Sequence, residues 1–227
     1  LPGAELPGPF PISARTTYGH VSDGMIASAR ELGLGDEHDG ILRLVTLGLD
    51  PEPGTDAIAL LGLDDVAVEV NVTPDRGYTL SIRGLARELA AAFGVPFTDP
   101  AAVSLRPAPA GRGVRIVDES RCARFVALEA TGVDPAAPSP WFIRRRLAAA
   151  GIRAISLAVD VTNYVMVELG HPLHAFDADK LHGGIVVRRA AAGEALRTLD
   201  GADRTLTDDD VVADPGWLKA LWNERST

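Results

Sequence analysis

The sequence predicts an α+β fold built from short strands and few long helices, and three observations carry that prediction. Residues 66–72, Val-Ala-Val-Glu-Val-Asn-Val, place valine at every second position, the period of a strand with one covered face. From Ser81, residues Ile82, Leu85, Ala86, Leu89 and Phe93 recur at helical spacing, and the run stops at Gly94 with Pro96 behind it. Asp200-Gly201 separates Ala195–Leu199 from Arg204–Leu206, the signature of a tight hairpin.

Read from the start, residues 1–20 hold Pro2, Pro7, Pro9 and Pro11 and read as loop and edge strand. Residues 22–35 suggest a short helix ended by Gly33 or Gly35. Ile41–Leu47 reads as a strand. Thr73-Pro74-Asp75-Arg76-Gly77 is a turn by composition, leading into the helix after Ser81. Residues 98–113, rich in proline, glycine and alanine, form the expected linker. Beyond it, Val114–Val117 and Phe125–Leu128 read as strands. Ser139-Pro140 reads as an N-cap and first helical position for a helix from Trp141 to Gly151. Leu157–Thr162 reads as a strand entering a short helix, Tyr164–Leu169, closed by Gly170. Ile185–Arg188 is strand-like.

The chain has 227 residues, 46% of them apolar and 23% charged, an ordinary globular composition for one or two domains. No apolar run is long enough to span a bilayer, and no secretory leader is visible. The single cysteine, Cys122, fits a reducing compartment and reads as a small buried residue rather than a nucleophile. The net charge of −9 is unevenly spread: residues 1–100 carry 6 basic and 15 acidic side chains, and the remainder carries 16 of each. That imbalance argues against general nucleic-acid binding by the first half and restricts any RNA contact to a local surface.

Four stretches bear on function. They are Gly24-Met-Ile-Ala-Ser-Ala-Arg-Glu-Leu-Gly33; Val72-Thr-Pro-Asp-Arg-Gly77 with Ser81-Ile-Arg-Gly-Leu-Ala-Arg-Glu-Leu89; Ser139-Pro-Trp141 with Arg146-Leu and Gly151-Ile-Arg153; and Val159-Asp-Val-Thr-Asn-Tyr-Val-Met166 followed by Glu168-Leu-Gly-His-Pro-Leu-His-Ala-Phe-Asp177. Together they resemble the β subunit of bacterial phenylalanine–tRNA ligase, with Asp75 where that family usually has Asn and His171 where it usually has Gln. The resemblance implies part of an OB-type β-barrel module with a helical extension, followed by a truncated mixed α/β editing domain of B3/B4 type. The corresponding partition is 1–60 for the C-terminal part of the tRNA-binding module, 61–97 for a strand–helix segment, 98–113 for the linker, 114–214 for the N-terminal part of the editing domain, and 215–227 for a tail unlike the family. It also implies an α subunit and tRNA(Phe) as partners, an α2β2 heterotetramer for the full-length parent, cytoplasmic localisation without a membrane, ATP and magnesium in the parent enzyme, and no cofactor in this chain.

Editing has a physical motive. Phenylalanine and tyrosine differ by one hydroxyl, which an apolar pocket rejects only about a hundredfold in comparable cases. A second site that hydrogen-bonds the hydroxyl form and hydrolyses its ester needs a positioned water, oxyanion stabilisation and a fixed substrate. By family position His174 is the candidate for holding substrate or water, with Thr162 and Asn163 as candidate substrate contacts at the expected strand-to-helix junction. By residue type alone, His174 is a structural hydrogen-bonder and the Thr-Asn pair a helix cap. The acidic residue that reads the tyrosine hydroxyl, and the Gly-rich pocket wall, are expected beyond Asp214, so editing by this polypeptide alone is expected to be negligible.

Other constellations are weaker. His171, His174 and Asp177, with His182 nearby, have no compelling fourth ligand and include Pro172 in their run, so no metal is assigned. Arg144-Arg145-Arg146 reads first as a solvated helix face and second as a phosphate contact. Asp208-Asp209-Asp210 does not fit a calcium loop, and Gly183-Gly184 lacks the rest of a phosphate-cradling motif. Two rival functions stand beside the ligase subunit: a free-standing aminoacyl-tRNA editing hydrolase, which requires a complete pocket after residue 214, and a non-catalytic or decayed interaction module.

Overall fold

The computed structural model describes residues 1–35, 38–104, 111–197 and 201–214. The chain forms two compact units, neither contiguous in sequence: residues 1–102 with 134–174, and residues 103–133 with 175–227. The partition therefore differs from the linear one expected, because 134–174 groups with the N-terminal hundred residues. Most of the expected linker tip, 105–110, and the tail 215–227 lie outside the described residues.

The first unit begins with two small antiparallel hairpins, β1 (Glu5–Leu6) with β2 (Phe10–Pro11) and β3 (Arg15–Thr17) with β4 (His20–Ser22). Among the described residues no closed barrel forms from residues 1–60. The expected helix over 22–35 shrinks to one turn. Ser28 and Glu31 cap it reciprocally, Ser28 N donating to Glu31 Oε2 at 2.7 Å and Glu31 N to Ser28 Oγ at 3.3 Å. Gly33, at φ +69°, ends it before a second turn can form. Ile41–Leu47 is not a strand: Leu44–Leu47 is a 3-10 helix closed by Gly48 at φ +72°.

The short helix α1 (Ala57–Leu61) is capped by Asp56, whose side chain accepts from Ile58 N, and ends at Gly62. The alternating valines of 66–72 are extended by sequence period but find no pairing partner among the described residues. Val66 and Val68 remain 79% and 78% exposed. A strand is defined by its ladder, and alternation alone does not supply one.

Helix α2 (Ile82–Phe93) forms as its sequence predicts, with Ser81 accepting from Gly84 N at 3.1 Å and Gly94 in the left-handed C-cap. A Cβ on Gly84 would stand 1.9 Å from the Tyr78 carbonyl oxygen, so glycine is required where the 3-10 helix Pro74–Leu80 folds back on α2. Arg76 and Tyr78 both hydrogen-bond Glu88 across that fold. The apolar face of α2 is not covered as expected; Ile82, Leu89 and Phe93 line an open groove of about 510 Å³.

Helices α3 (Trp141–Ala149) and α4 (Leu157–Leu169) complete the unit and pack together. Pro140, not Ser139, occupies the N-cap of α3, and Ser139 is used elsewhere. Its hydroxyl donates to Asp160 Oδ2 at 2.5 Å, while Ile155 N donates to Asp160 Oδ1 at 2.8 Å. Asp160 is 1% exposed. The expected strand Leu157–Thr162 is instead the first half of α4. β-Branched residues alone do not make a strand, and here an acid in the first turn favours helix.

The second unit is built on a three-stranded sheet. Strand β5 (Val114–Ile116) pairs in parallel with β6 (Ile185–Arg189). A hairpin of β7 (Ala195–Arg197) and β8 (Asp203–Thr205) follows, as Asp200-Gly201 predicts, although 198–200 lie outside the described residues. Strand β9 (Val211–Asp214), which the sequence reading did not identify, pairs antiparallel with the other edge of β6. Ile185 and Val187 point into the small core. Gly184 serves close approach: a Cβ there would lie 2.5 Å from the Gly113 carbonyl oxygen. Phe125–Leu128 is not a strand. Cys122 is half-buried, and its Sγ lies 3.5 Å from the Arg124 carbonyl oxygen.

Removing the Asp160 carboxylate strands two donors. Asp160→Ala is expected to destabilise the first unit by roughly 2–4 kcal/mol and Ser139→Ala by about 1–2 kcal/mol. A urea midpoint that either variant leaves unchanged would refute this account of the α3–α4 pair.

Two carboxylates set an acid limit. Ser120, through its hydroxyl, and the Arg189 guanidinium hold the Asp118 carboxyl at about 2. The Arg83 guanidinium, with Ala101 N–H, holds Asp99 at about 2. Both folded values lie below the ordinary carboxylate value, so their stabilisation is complete above that value and drains as pH falls toward about 2. Melting temperature measured from pH 6 down to pH 2 is expected to fall along that limb, and Asp118→Asn should flatten it. An unaltered profile in the variant would count against the pairing.

Candidate functional site

The candidate site is built on α4 and the segment that leaves it. Thr162 and Asn163 are the sixth and seventh residues of α4, both half-buried. Their position overturns the junction expected for them. Their N–H groups lie past the four unsatisfied donors of a helix start, so neither residue offers backbone donors to a ligand and neither caps the helix. The Thr162 hydroxyl donates to the Val159 carbonyl at 2.7 Å within the helix, and its oxygen keeps acceptor capacity. Any contact with substrate must therefore come from the Thr162 and Asn163 side chains.

Gly170 closes α4 at φ +77°, its N–H bonded to the Met166 carbonyl at 2.8 Å. A Cβ there would lie 2.9 Å from Ser81 Oγ, so the exit of α4 is pressed onto the N-cap of α2. From this point the chain runs without regular structure through 171–177, and His174 lies in that segment, exposed. Thr162 and Asn163 thus share one helix, while His174 is placed by the chain that Gly170 redirects. The apolar groove along α2, which Glu168 borders, is lined by none of the three, nor is the smaller one between Gly113 and Ile185. Among the described residues no group of three or more His, Cys, Asp or Glu side chains is arranged to hold a metal ion.

The structure adds residues that motif reading passed over. Asp160 and Ser139 fix the start of α4 relative to α3. On the same pair of helices, Arg146 Nη1 donates to the Tyr164 hydroxyl at 2.6 Å and its guanidinium lies 5.9 Å from the Tyr164 ring centre. The Phe142 ring meets Tyr164 edge-on at 5.9 Å. The sequence signal for this cluster was the arginine run following two aromatics on α3, which spacing alone could not connect to Tyr164.

Gly170→Ala is expected to cost about 1–2 kcal/mol from the left-handed backbone, and more from the clash with Ser81. Urea denaturation and amide exchange over 166–177 should both register it. Wild-type behaviour in both would show that the exit of α4 does not depend on Gly170.

Residues 121–223 match the B3/4 domain family, a span that includes Thr162, Asn163 and His174 and reaches into the stretch after Asp214 that was expected to diverge. The chain is 60% identical over 225 residues to the phenylalanine–tRNA ligase β subunit of Leifsonia xyli subsp. xyli, covering 93% of this chain and 27% of that protein. It is 58% identical over 217 residues to that of Nocardia farcinica and 56% over 216 residues to that of Thermobifida fusca, in each case over 93% of this chain and 25% of the relative. The chain thus spans about a quarter of the length of the curated relatives it matches, and at this identity along nearly all of its own length it belongs to the phenylalanine–tRNA ligase β-subunit family.

Proposed function

We propose that this chain is the part of a phenylalanine–tRNA ligase β subunit that contributes to tRNA binding and supplies one side of a hydrolytic site clearing tyrosine from tRNA(Phe). The observation that carries the reading is the coincidence of two matches. High identity to the β subunit runs through nearly the whole chain, and the B3/4 domain match encloses all three candidate side chains.

In this reading His174 holds the terminal ribose or the attacking water by hydrogen bonds, a role open to imidazole near neutral pH. Its exposure on an irregular segment suits contact with a large substrate. The Thr162 hydroxyl oxygen accepts, and the Asn163 amide both donates and accepts, so together they can fix a polar substrate edge. Residues 1–60 are read as the C-terminal part of an OB-type tRNA-binding module. The partners are an α subunit and tRNA(Phe) in an α2β2 assembly in the cytoplasm. Among the described residues no helix is long and apolar enough to cross a membrane. ATP and magnesium serve the aminoacylation site of the parent enzyme, which this chain does not resemble.

The test is hydrolysis of Tyr-tRNA(Phe) by the assembled ligase. His174→Ala is expected to lower that rate about a hundredfold or more, the scale of a positioned proton-transfer or hydrogen-bonding group, with charging by phenylalanine unaffected. A variant that clears tyrosine at the parental rate would remove His174 from the mechanism.

A further inference from the structure

We propose that Arg112 is a positioning residue for His174: its guanidinium clamps the 3-10 turn that the chain enters directly after the irregular stretch carrying that histidine. The inference rests on the reading of His174 above and adds to it the group that fixes where the histidine is held.

The first observation is what Arg112 grips. Its Nη1 donates to the Leu181 carbonyl at 2.8 Å and its Nη2 to the Ala178 carbonyl at 2.6 Å. These oxygens stand at the start of the 3-10 turn Ala178–Lys180 and just past its end, so one planar fork spans the turn. Arg121 and Arg188 of the same unit reach side-chain carboxylates, which can swing with their rotamers. Arg112 reaches the main chain, and a main-chain carbonyl moves only when the backbone moves. The Arg112 Nε is buried with no hydrogen-bond partner among the described residues, a cost that accompanies the reach to those two carbonyls.

Second, the clamp is itself anchored. A Cβ on Gly111 would lie 2.5 Å from the Ala127 carbonyl oxygen, so the backbone just ahead of Arg112 is closely packed. Just behind it, the Gly113 carbonyl accepts from Ile185 N at 2.9 Å, where β5 starts beside β6. Leu181, one of the two clamped residues, is buried. All of these residues belong to the second unit.

Third, the turn is the fixed point that follows His174. Residues 171–177 have no regular structure. Asp177 ends that stretch by capping the turn, its side chain accepting from Asp179 N at 3.1 Å. His174 stands four residues ahead of Ala178, a tether of at most about 14 Å even when fully extended. A segment with neither a ladder nor a helix takes its position from its tethers. A three-residue 3-10 turn is weak by itself, and Arg112 secures it. Loss of the fork lets the turn fray and frees His174 from a placement in which an error of about 1 Å costs about a hundredfold.

A double-mutant cycle on the assembled ligase, read by hydrolysis of Tyr-tRNA(Phe), tests this. Arg112→Ala is expected to lower kcat about tenfold, part of the full misplacement cost, with KM within about twofold and charging by phenylalanine unchanged. In the His174→Ala background the same change should cost less than about twofold, because the residue through which Arg112 acts is already gone. Amide exchange over 175–182 should quicken about tenfold, the scale of one lost charge-assisted hydrogen bond. Ethylguanidinium added to the Arg112→Ala enzyme should recover part of kcat, which general damage to the fold would not allow. Should Arg112→Ala fail to assemble, Arg112→Lys, which keeps the charge and gives up the fork, carries the same cycle. Parental kcat and exchange in the folded variant, or a full tenfold loss again in the His174→Ala background, would each overturn the inference. If His174→Ala is impaired while Arg112→Ala is not, the clamp alone is lost; if His174→Ala hydrolyses at the parental rate, the reading of His174 falls first and the clamp with it.

Discussion

Asp160 sits in the first turn of α4 with its carboxylate almost wholly withdrawn from water. Burying such a group is tolerable only when donors replace its hydration. The two donors come from separate places: Ser139, just ahead of α3, and Ile155, just ahead of α4. The carboxylate therefore dictates where both helices begin. Given those starts, Phe142 and Arg146 on α3 arrive opposite Tyr164 on α4, and the aromatic–guanidinium cluster follows from the register. Gly170 sets the other end of α4 by lying against Ser81. One helix is thus pinned at its start by a buried acid and at its end by a missing side chain, and the candidate residues lie between and just beyond those two points.

The distribution of charge gives the arrangement a direction. Several arginines are spent on fold: Arg83 on Asp99 beside α2, Arg188 on Glu194 and Arg189 on Asp118 around the small sheet. Such pairs are partly exposed, so solvent screens part of their attraction. On α3 the only arginine given to packing is Arg145.

What was legible in the sequence depended on how local the deciding physics is. Helix ends were readable because a cap is a property of one or two residues: Ser81 and Gly94 bound α2 as their types require, and the strands flanking Asp200-Gly201 pair as β7 and β8. The strand at 66–72 was not, because alternating valines state only that one face wants cover, and pairing needs a second strand that alternation cannot specify. Leu157–Thr162 misled for a related reason. Its β-branched residues suit a strand, but the buried Asp160, fixed by partners at 139 and 155, holds the segment helical. Strand β9 was missed because Val211–Asp214 is short and becomes a strand only beside β6. Of the candidate site, the motif named the residues but not their backbone state, and the arginine–tyrosine contact across 18 positions in sequence had no local signal at all.

Helix geometry also separates the two roles that α4 carries. Successive residues turn by about 100° around a helix axis, so Thr162 and Tyr164 point roughly 200° apart. Tyr164 is turned to α3, where Arg146 and Phe142 meet it. The Thr162 side chain consequently faces away from the aromatic–guanidinium cluster. Asn163 lies between them, about 100° from each.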